Sequence, residues 1–180
     1  MERWAIEIKK EYLKFSAAHF LIFPDGSAER LHGHNYRVFC EVSGSLSQFG
    51  LVIDFTQVKP LIREIVDSLD ERWLIPGEHL ELTHSTRDDG VVEINYRERY
   101  YAAPSTDIIV LPVNNTSAEN LAAYVGRLLL KKLQQNFADI EVHSMRMAVE
   151  ETEGQLGVWY YSVDWLKVNV KDDDRIRFHV

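Results

Sequence analysis

The stretch Leu31-His32-Gly33-His34-Asn35-Tyr36-Arg37-Val38-Phe39-Cys40-Glu41-Val42 decides the fold. It is rich in Tyr, Val and Phe and is closed by Ser43-Gly44-Ser45, the composition and punctuation of a β-strand. Alternate side chains of a strand share a face, so His32 and His34 point the same way. Upstream, Trp4, Ile6 and Ile8 alternate with polar neighbours, and residues 12–19 continue without a strong breaker. That predicts either one long or bulged strand or two short ones. Phe23-Pro24-Asp25-Gly26-Ser27 is turn chemistry, which makes residues 23–31 a loop.

Downstream, Asp54 can cap a helix to about residue 69, with Val58, Leu61, Ile62, Ile65, Val66 and Leu69 on one stripe. Pro60 lies in its early turns. Residues 76–115 form a polar segment with two predicted strands, 91–101 and 107–113, separated by Ala103-Pro104-Ser105. This reads as an inserted hairpin, able to reshape a pocket mouth or extend an oligomer interface. Thr116-Ser117-Ala118-Glu119 has capping-box spacing, and Leu121, Val125, Leu128, Leu129 and Leu133 mark an amphipathic helix to about residue 136. Two final strands, 140–151 and 155–166, meet at Thr152-Glu153-Gly154. Strands, helices, strands predicts one α+β domain over residues 1–180, with helices against one face of an antiparallel sheet. The run Lys171-Asp172-Asp173-Asp174-Arg175 reads as a solvated tail, with Phe178 and Val180 packing weakly.

Composition narrows the function. With 180 residues, 46% of them hydrophobic, the chain is an ordinary globular domain. Its single cysteine, Cys40, excludes an internal disulfide framework and a multi-cysteine zinc module, leaving histidine and carboxylate as metal ligands in a reducing compartment. No stretch approaches the ~18 apolar residues of a membrane span, so the expectation is a soluble, cytoplasmic protein. The formal charge of −8 argues against a general nucleic-acid binder, since counterion release needs a basic face, but allows a small phosphorylated ligand.

His32 and His34, with His19 from the neighbouring strand, carry the chemistry. Three neutral imidazoles with a fourth position open is the arrangement of a catalytic zinc. Spacing alone leaves open both a zinc centre and three ordinary hydrogen-bonded histidines; Gly33 and His19 favour the metal.

Phe15-Ser16-Ala17-Ala18-His19, Leu31-His32-Gly33-His34-Asn35-Tyr36, Gly50-Leu51-Val52-Ile53-Asp54-Phe55, Leu69-Asp70 and Val149-Glu150-Glu151-Thr152 follow one another in an order that resembles the 6-pyruvoyl-tetrahydropterin synthase family, which includes the 6-carboxy-tetrahydropterin synthases. The resemblance implies a tunnelling fold, antiparallel strand pairs with two helices between them, whose trimers close a barrel and stack in pairs as hexamers. It also implies zinc on His19, His32 and His34, and 7,8-dihydroneopterin triphosphate as substrate. In the chemistry it implies, a side-chain hydroxyl is acidified beside zinc, a base moves protons, and triphosphate or a carbon fragment leaves.

Members with a cysteine base carry it four positions before the first histidine of His-Gly-His, where this chain has Ala28. Cys40 cannot replace it, since the six residues beyond His34 are roughly 20 Å of extended chain; it reads as a small buried hydrophobe. Glu29 fits instead the Glu-x-x-His-Gly-His pattern of a subgroup that resembles a folate-bypass enzyme yielding 6-hydroxymethyl-7,8-dihydropterin. There Glu29 would be the general base, and otherwise it is a solvated loop acid. The family follows Leu-Asp with a relay histidine, whereas this chain reads Leu69-Asp70-Glu71, so Asp70 is left to orient or relay. His79, His84 and His143 read as surface histidines rather than substitutes. Glu151 is the expected bidentate anchor for the pterin's N–H edge, with Glu150 the alternative if the register slips by one. Ser117 and Glu119, in a motif where Thr116 replaces the family's proline, either help bind the pterin or cap the helix. Arg30, Lys9, Lys10 and Arg37 are the cations near these motifs.

The expected function is therefore a zinc-dependent lyase or synthase acting on dihydroneopterin triphosphate, with formation of 6-hydroxymethyl-7,8-dihydropterin ahead of 6-pyruvoyl- or 6-carboxy-tetrahydropterin. The third alternative is a zinc-containing pterin- or purine-binding homologue with divergent or lost catalysis.

Overall fold

The structure, a computed structural model, describes residues 2–137 and 140–164. The early alternation becomes three strands, β1 (Trp4–Ile8), β2 (Lys14–His19) and β3 (His32–Gly44). Long β3 organises the rest. Its first half pairs antiparallel with β2, from His19 opposite His32 to Lys14 opposite Arg37, and its second half pairs with β1 along the same edge. The two-short-strand reading of residues 4–19 is thus the correct one. Asp54 caps α1 (Phe55–Leu69), its carboxylate accepting the Thr56 N–H at 2.7 Å.

The expected antiparallel sheet is in fact mixed. Its order is β10-β9-β3-β2-β4-β8, where β4 is Arg72–Pro76, β8 Ile108–Leu111, β9 Val142–Thr152 and β10 Gln155–Ser162; β2 with β4 and β4 with β8 are parallel. The junction after α1 explains the parallel pair. Asp70 Oδ1 accepts the Ser16 N–H at 2.7 Å, and Glu71, at φ 55°, donates its N–H to the Ser16 carbonyl. The chain therefore leaves α1 already fastened to β2 and runs beside it.

Helix α1 and α2 (Ala118–Asn136) cover one face of the sheet, where Phe15, Tyr36, Val38, Val42, Met147 and Val149 meet them in the main core. The opposite face at β2 and β4 carries a three-stranded meander, β5 (Leu82–Thr86), β6 (Val91–Tyr96) and β7 (Arg99–Pro104). Leu82, Val92, Ile94 and Tyr96 pack there on Phe20, Ile22, Trp73 and Ile75 as a second core.

The segment expected as an inserted hairpin is thus built differently. The predicted strand 91–101 is broken at Arg97, whose φ of 52° reverses the chain into β7. The predicted strand 107–113 shortens to β8 and belongs to the main sheet beside β4, which was not anticipated.

At the other edge, β9 and β10 form the expected hairpin. Gly157 of β10 lies so close to the first turn of α2 that a Cβ there would fall 2.1 Å from the Ala118 carbonyl carbon and 2.2 Å from the Glu119 nitrogen, so only glycine permits this helix seat. The expected strand end at residue 166, the charge run 171–175, Phe178 and Val180 lie outside the described residues. Among the described residues no helix is long and apolar enough to cross a membrane.

Candidate metal centre

Strand pairing alone assembles the three histidines. His19 lies opposite His32, and Ala17 lies opposite His34. His19 shares its face of β2 with Phe15 and Ala17, and His32 and His34 share theirs on β3 with Tyr36, Val38, Cys40 and Val42; all these apolar residues belong to the main core. The imidazoles therefore continue the core stripe to the end of the sheet. Their ring centroids stand 4.8 Å (His19–His32), 5.2 Å (His19–His34) and 4.8 Å (His32–His34) apart, and one ring nitrogen from each falls within 4.8 Å of the others.

Backbone carbonyls set two of the tautomers. His19 Nδ1 stands 3.0 Å from the Thr116 carbonyl and His32 Nδ1 2.7 Å from the Arg30 carbonyl. A carbonyl can only accept, so each Nδ1 carries the proton and each Nε2 keeps its lone pair. This is the outer-sphere arrangement that orients metal-ligating histidines. His19 is fully buried, and its Nε2 has no hydrogen-bond partner; among the described residues only Trp73 Nε1 shares that condition. A buried unpaired nitrogen is costly in a protein and suits a metal ligand. Burial also lowers the His19 pKa, more than its hydrogen bond to Thr116 and the nearby Glu151 carboxylate raise it, which favours the neutral form a metal requires. The donor set fits zinc.

Two carboxylates flank the cluster. Glu151 Oε1 lies 3.3 Å from His19 Nε2, outside hydrogen-bond geometry, and 3.8 Å from His34 Nε2, and it accepts the Tyr36 O–H at 3.3 Å. Glu150 is turned away, because Arg37 lies opposite it in the register, pairs with it at 2.7 Å, and leaves it to accept the Gly154 N–H. Of the two glutamates, only Glu151 reaches the histidines. Burial, with Glu151 adding to it, pushes the Tyr36 phenol up, so its O–H stays a donor. On the other side Glu29 Oε2 accepts the Leu21 N–H at 3.1 Å and lies 3.9 Å from His32 Nε2. A depression of about 740 Å³, lined by Ser16, Gly33, Asn35 and Trp73, has His34 and Glu151 on its border.

Other expected site residues lie elsewhere or hold other bonds. Asp70 clamps Ser16, and among the described residues no hydrogen bond or ion pair joins it to the histidines. Ser117 caps α2 by accepting the Asn120 N–H, and Glu119 sits exposed in the first turn. The capping box centred on Thr116 does not form, because the buried Thr116 hydroxyl donates to the Phe20 carbonyl. His79 packs on Tyr96 in the meander, His84 belongs to β5, and His143 pairs with Glu141. Lys9, Lys10 and Arg37 line one small depression of about 220 Å³, without Arg30. Cys40 is in the core, and burial pushes its thiol up to about 12. Sequence reading missed Tyr36 and Thr116. Tyr36 was legible, two residues after His34 on the same face, but nothing local marks the Thr116 carbonyl as a partner of His19.

Three clustered imidazoles, two of them with Nε2 freed by a backbone carbonyl on Nδ1, flanked by two carboxylates on an α+β sheet, define a candidate metal-dependent enzyme centre. The chain belongs to the 6-pyruvoyl tetrahydropterin synthase family, whose model matches residues 7–160. It is 31% identical over 144 residues to a putative 6-carboxy-5,6,7,8-tetrahydropterin synthase of Methanocaldococcus jannaschii, covering 79% of this chain and 86% of that one. The structure of Plasmodium falciparum 6-pyruvoyl tetrahydropterin synthase superposes with a TM-score of 0.83 at 24% identity, over 89% of this chain and 99% of that one. A Plasmodium vivax 6-pyruvoyltetrahydropterin synthase, solved as a catalytic-residue mutant with glutamate replaced by alanine, gives the same TM-score and identity over 91% of this chain and 100% of that one.

Proposed function

We propose that the protein is a zinc-dependent lyase acting on the side chain of 7,8-dihydroneopterin triphosphate and forming 6-hydroxymethyl-7,8-dihydropterin. The observation that carries this reading is Glu29 beside His32, with Ala28 in the place of the family's cysteine. The Plasmodium vivax protein supports it, because a glutamate there is described as a catalytic residue. His19, His32 and His34 would hold the zinc through Nε2. When bound, the zinc supplies Lewis-acid polarisation of a side-chain oxygen.

The protein's own groups do the rest. Glu29, fixed through one oxygen by the Leu21 N–H, takes the proton of a side-chain hydroxyl. As the adjacent carbon–carbon bond breaks, the O–H pair becomes the carbonyl of the departing phosphorylated fragment. The pair of the broken bond passes into the pterin ring, and a proton returned to the remaining carbon completes the hydroxymethyl group. A positioned base of this kind contributes ~10²–10⁴-fold. Glu151 accepts two N–H groups of the pterin, held for that purpose by the Tyr36 O–H. Ser117 and Glu119, at the start of α2, remain candidates for the pterin's outer edge, and Asp70 for proton relay. The chain would act as a homo-oligomer, a trimer or a dimer of trimers: β8 and β10 each pair along only one edge among the described residues, and free edges are ordinarily covered.

The second reading is 6-carboxy-tetrahydropterin synthase, favoured by the name of the Methanocaldococcus jannaschii relative. Incubation of zinc-loaded protein with 7,8-dihydroneopterin triphosphate and mass analysis of the products decides between them. The first reading requires hydroxymethylpterin and its loss in Glu29→Gln. A carboxypterin product establishes the second, and unchanged substrate at full zinc occupancy removes both.

A further inference from the structure

Arg99 is the first residue of β7, opposite Tyr96 at the tip of the meander. Its guanidinium donates from one nitrogen to the Ala28 carbonyl and from the other to the Glu29 carbonyl. The next carbonyl along the chain, that of Arg30, is the one that holds His32 Nδ1. Three consecutive carbonyls are thus committed, two to Arg99 and the third to a metal-site imidazole. Glu29 lies in the middle of the run, its carboxylate 3.9 Å from His32 Nε2. The rest of the loop is fastened at two further points: the Tyr96 O–H donates to the Gly26 carbonyl at 2.8 Å, and Asn115, between β8 and α2, both accepts from and donates to Ile22. The planar fork presents two donors in fixed geometry to the two adjacent carbonyls, whereas a lysine ammonium offers its donors from a single point on a flexible stem.

We propose that Arg99 is a positioning residue through which the meander fixes both the Glu29 carboxylate and the His32 ring. This rests on the reading of Glu29 as base for its catalytic half; its His32 half stands on zinc binding alone. Arg99 touches neither substrate nor metal and acts through the backbone of residues 28–30.

Arg99→Met keeps most of the apolar stem and removes the fork. In the full-length protein it should speed amide hydrogen exchange across residues 28–32 and weaken zinc binding in chelator competition by about 10-fold. It should also lower kcat at saturating zinc by on the order of 10–100-fold, the usual consequence of losing an outer-sphere partner, with KM changed by less than about threefold. Arg99→Lys, the milder variant should Arg99→Met fail to fold, should move the same quantities in the same direction. Cobalt-substituted protein should show shifted visible bands in both variants, a change that a defect confined to the meander would not produce. In a Glu29→Gln background, Arg99→Met should lower the residual kcat by less than it does in the unmodified protein, since only the His32 contribution is then left to lose. Unchanged zinc affinity, cobalt spectrum and exchange in folded Arg99→Met overturn the proposal, as does an undiminished second loss in the Glu29→Gln background. Full activity of Glu29→Gln instead removes the base reading, and zinc affinity and spectrum still decide whether Arg99 orients His32.

Discussion

The two faces of the β2–β3 unit do different work. On the helix face an apolar stripe runs unbroken from Val42 to Tyr36 and ends in three imidazoles, so the ligands sit on strands held by the main core. On the other face a second core of Phe20, Ile22, Trp73, Ile75 and four meander residues supports the loop that carries Glu29. Strand-borne groups inherit the register of the sheet, and a loop has no such register. The loop's position depends on Tyr96, Arg99 and Asn115 reaching its backbone. His19 and His34 should therefore fail independently of the loop, whereas His32, whose Nδ1 is held by the Arg30 carbonyl, is the one ligand that the loop shares with Glu29.

The largest effect belongs to the ligands. His34→Ala removes an imidazole from a face otherwise held by Phe15, Tyr36 and Val38, so the fold should survive while zinc binding collapses. The loss should exceed the ~10–100-fold typical of an outer-sphere partner, and chelator competition with circular dichroism reads both quantities. Full zinc occupancy at unchanged affinity in His34→Ala would remove this histidine from the metal site. Next is Ile94→Ala, which empties a fully buried position in the meander core and should cost about 2–5 kcal/mol in urea unfolding. Its zinc affinity should fall far less than that of His34→Ala. A stability loss below ~1 kcal/mol would mean that the second core does not carry the loop as described.

How much of this could be read from residue order follows the same division. Strands β1 to β3 have one polar and one apolar face over much of their length, so their alternation is visible, and with it the shared face of His32 and His34. Asp54 and the stripe from Val58 to Leu69 mark α1 just as clearly. β4 was missed because both its faces are covered: Leu74 points to the helices, Trp73 and Ile75 to the meander, and no polar position interrupts Trp73-Leu74-Ile75. The break after Tyr96 was missed because Arg97, not glycine or asparagine, takes the left-handed conformation. The separation of Glu150 from Glu151 needs the register against β3, which only the folded sheet supplies. Arg99 has no local mark at all, since its partners lie 70 and 71 residues away.

The smallest effect tests the junction between the metal face and α2. Residue order places a capping box on Thr116 and Glu119; the structure moves the cap one residue on, where Ser117 Oγ accepts the Asn120 N–H at 3.3 Å. The two arrangements predict opposite rankings. With the cap at Ser117, Ser117→Ala should cost about 1 kcal/mol in thermal or urea unfolding. Glu119→Ala, at an exposed position without a back-bond, should lose only the first-turn charge, ~0.3–1 kcal/mol. Thr116→Val, which keeps the side-chain shape, should lose the hydrogen bond to Phe20 but leave zinc affinity intact. Its main-chain carbonyl, the atom that holds His19 Nδ1, is untouched by the substitution. If Glu119→Ala proved costlier than Ser117→Ala, the cap would sit on Thr116, the carbonyl facing His19 would be set differently, and the tautomer argument for that histidine would lose its support.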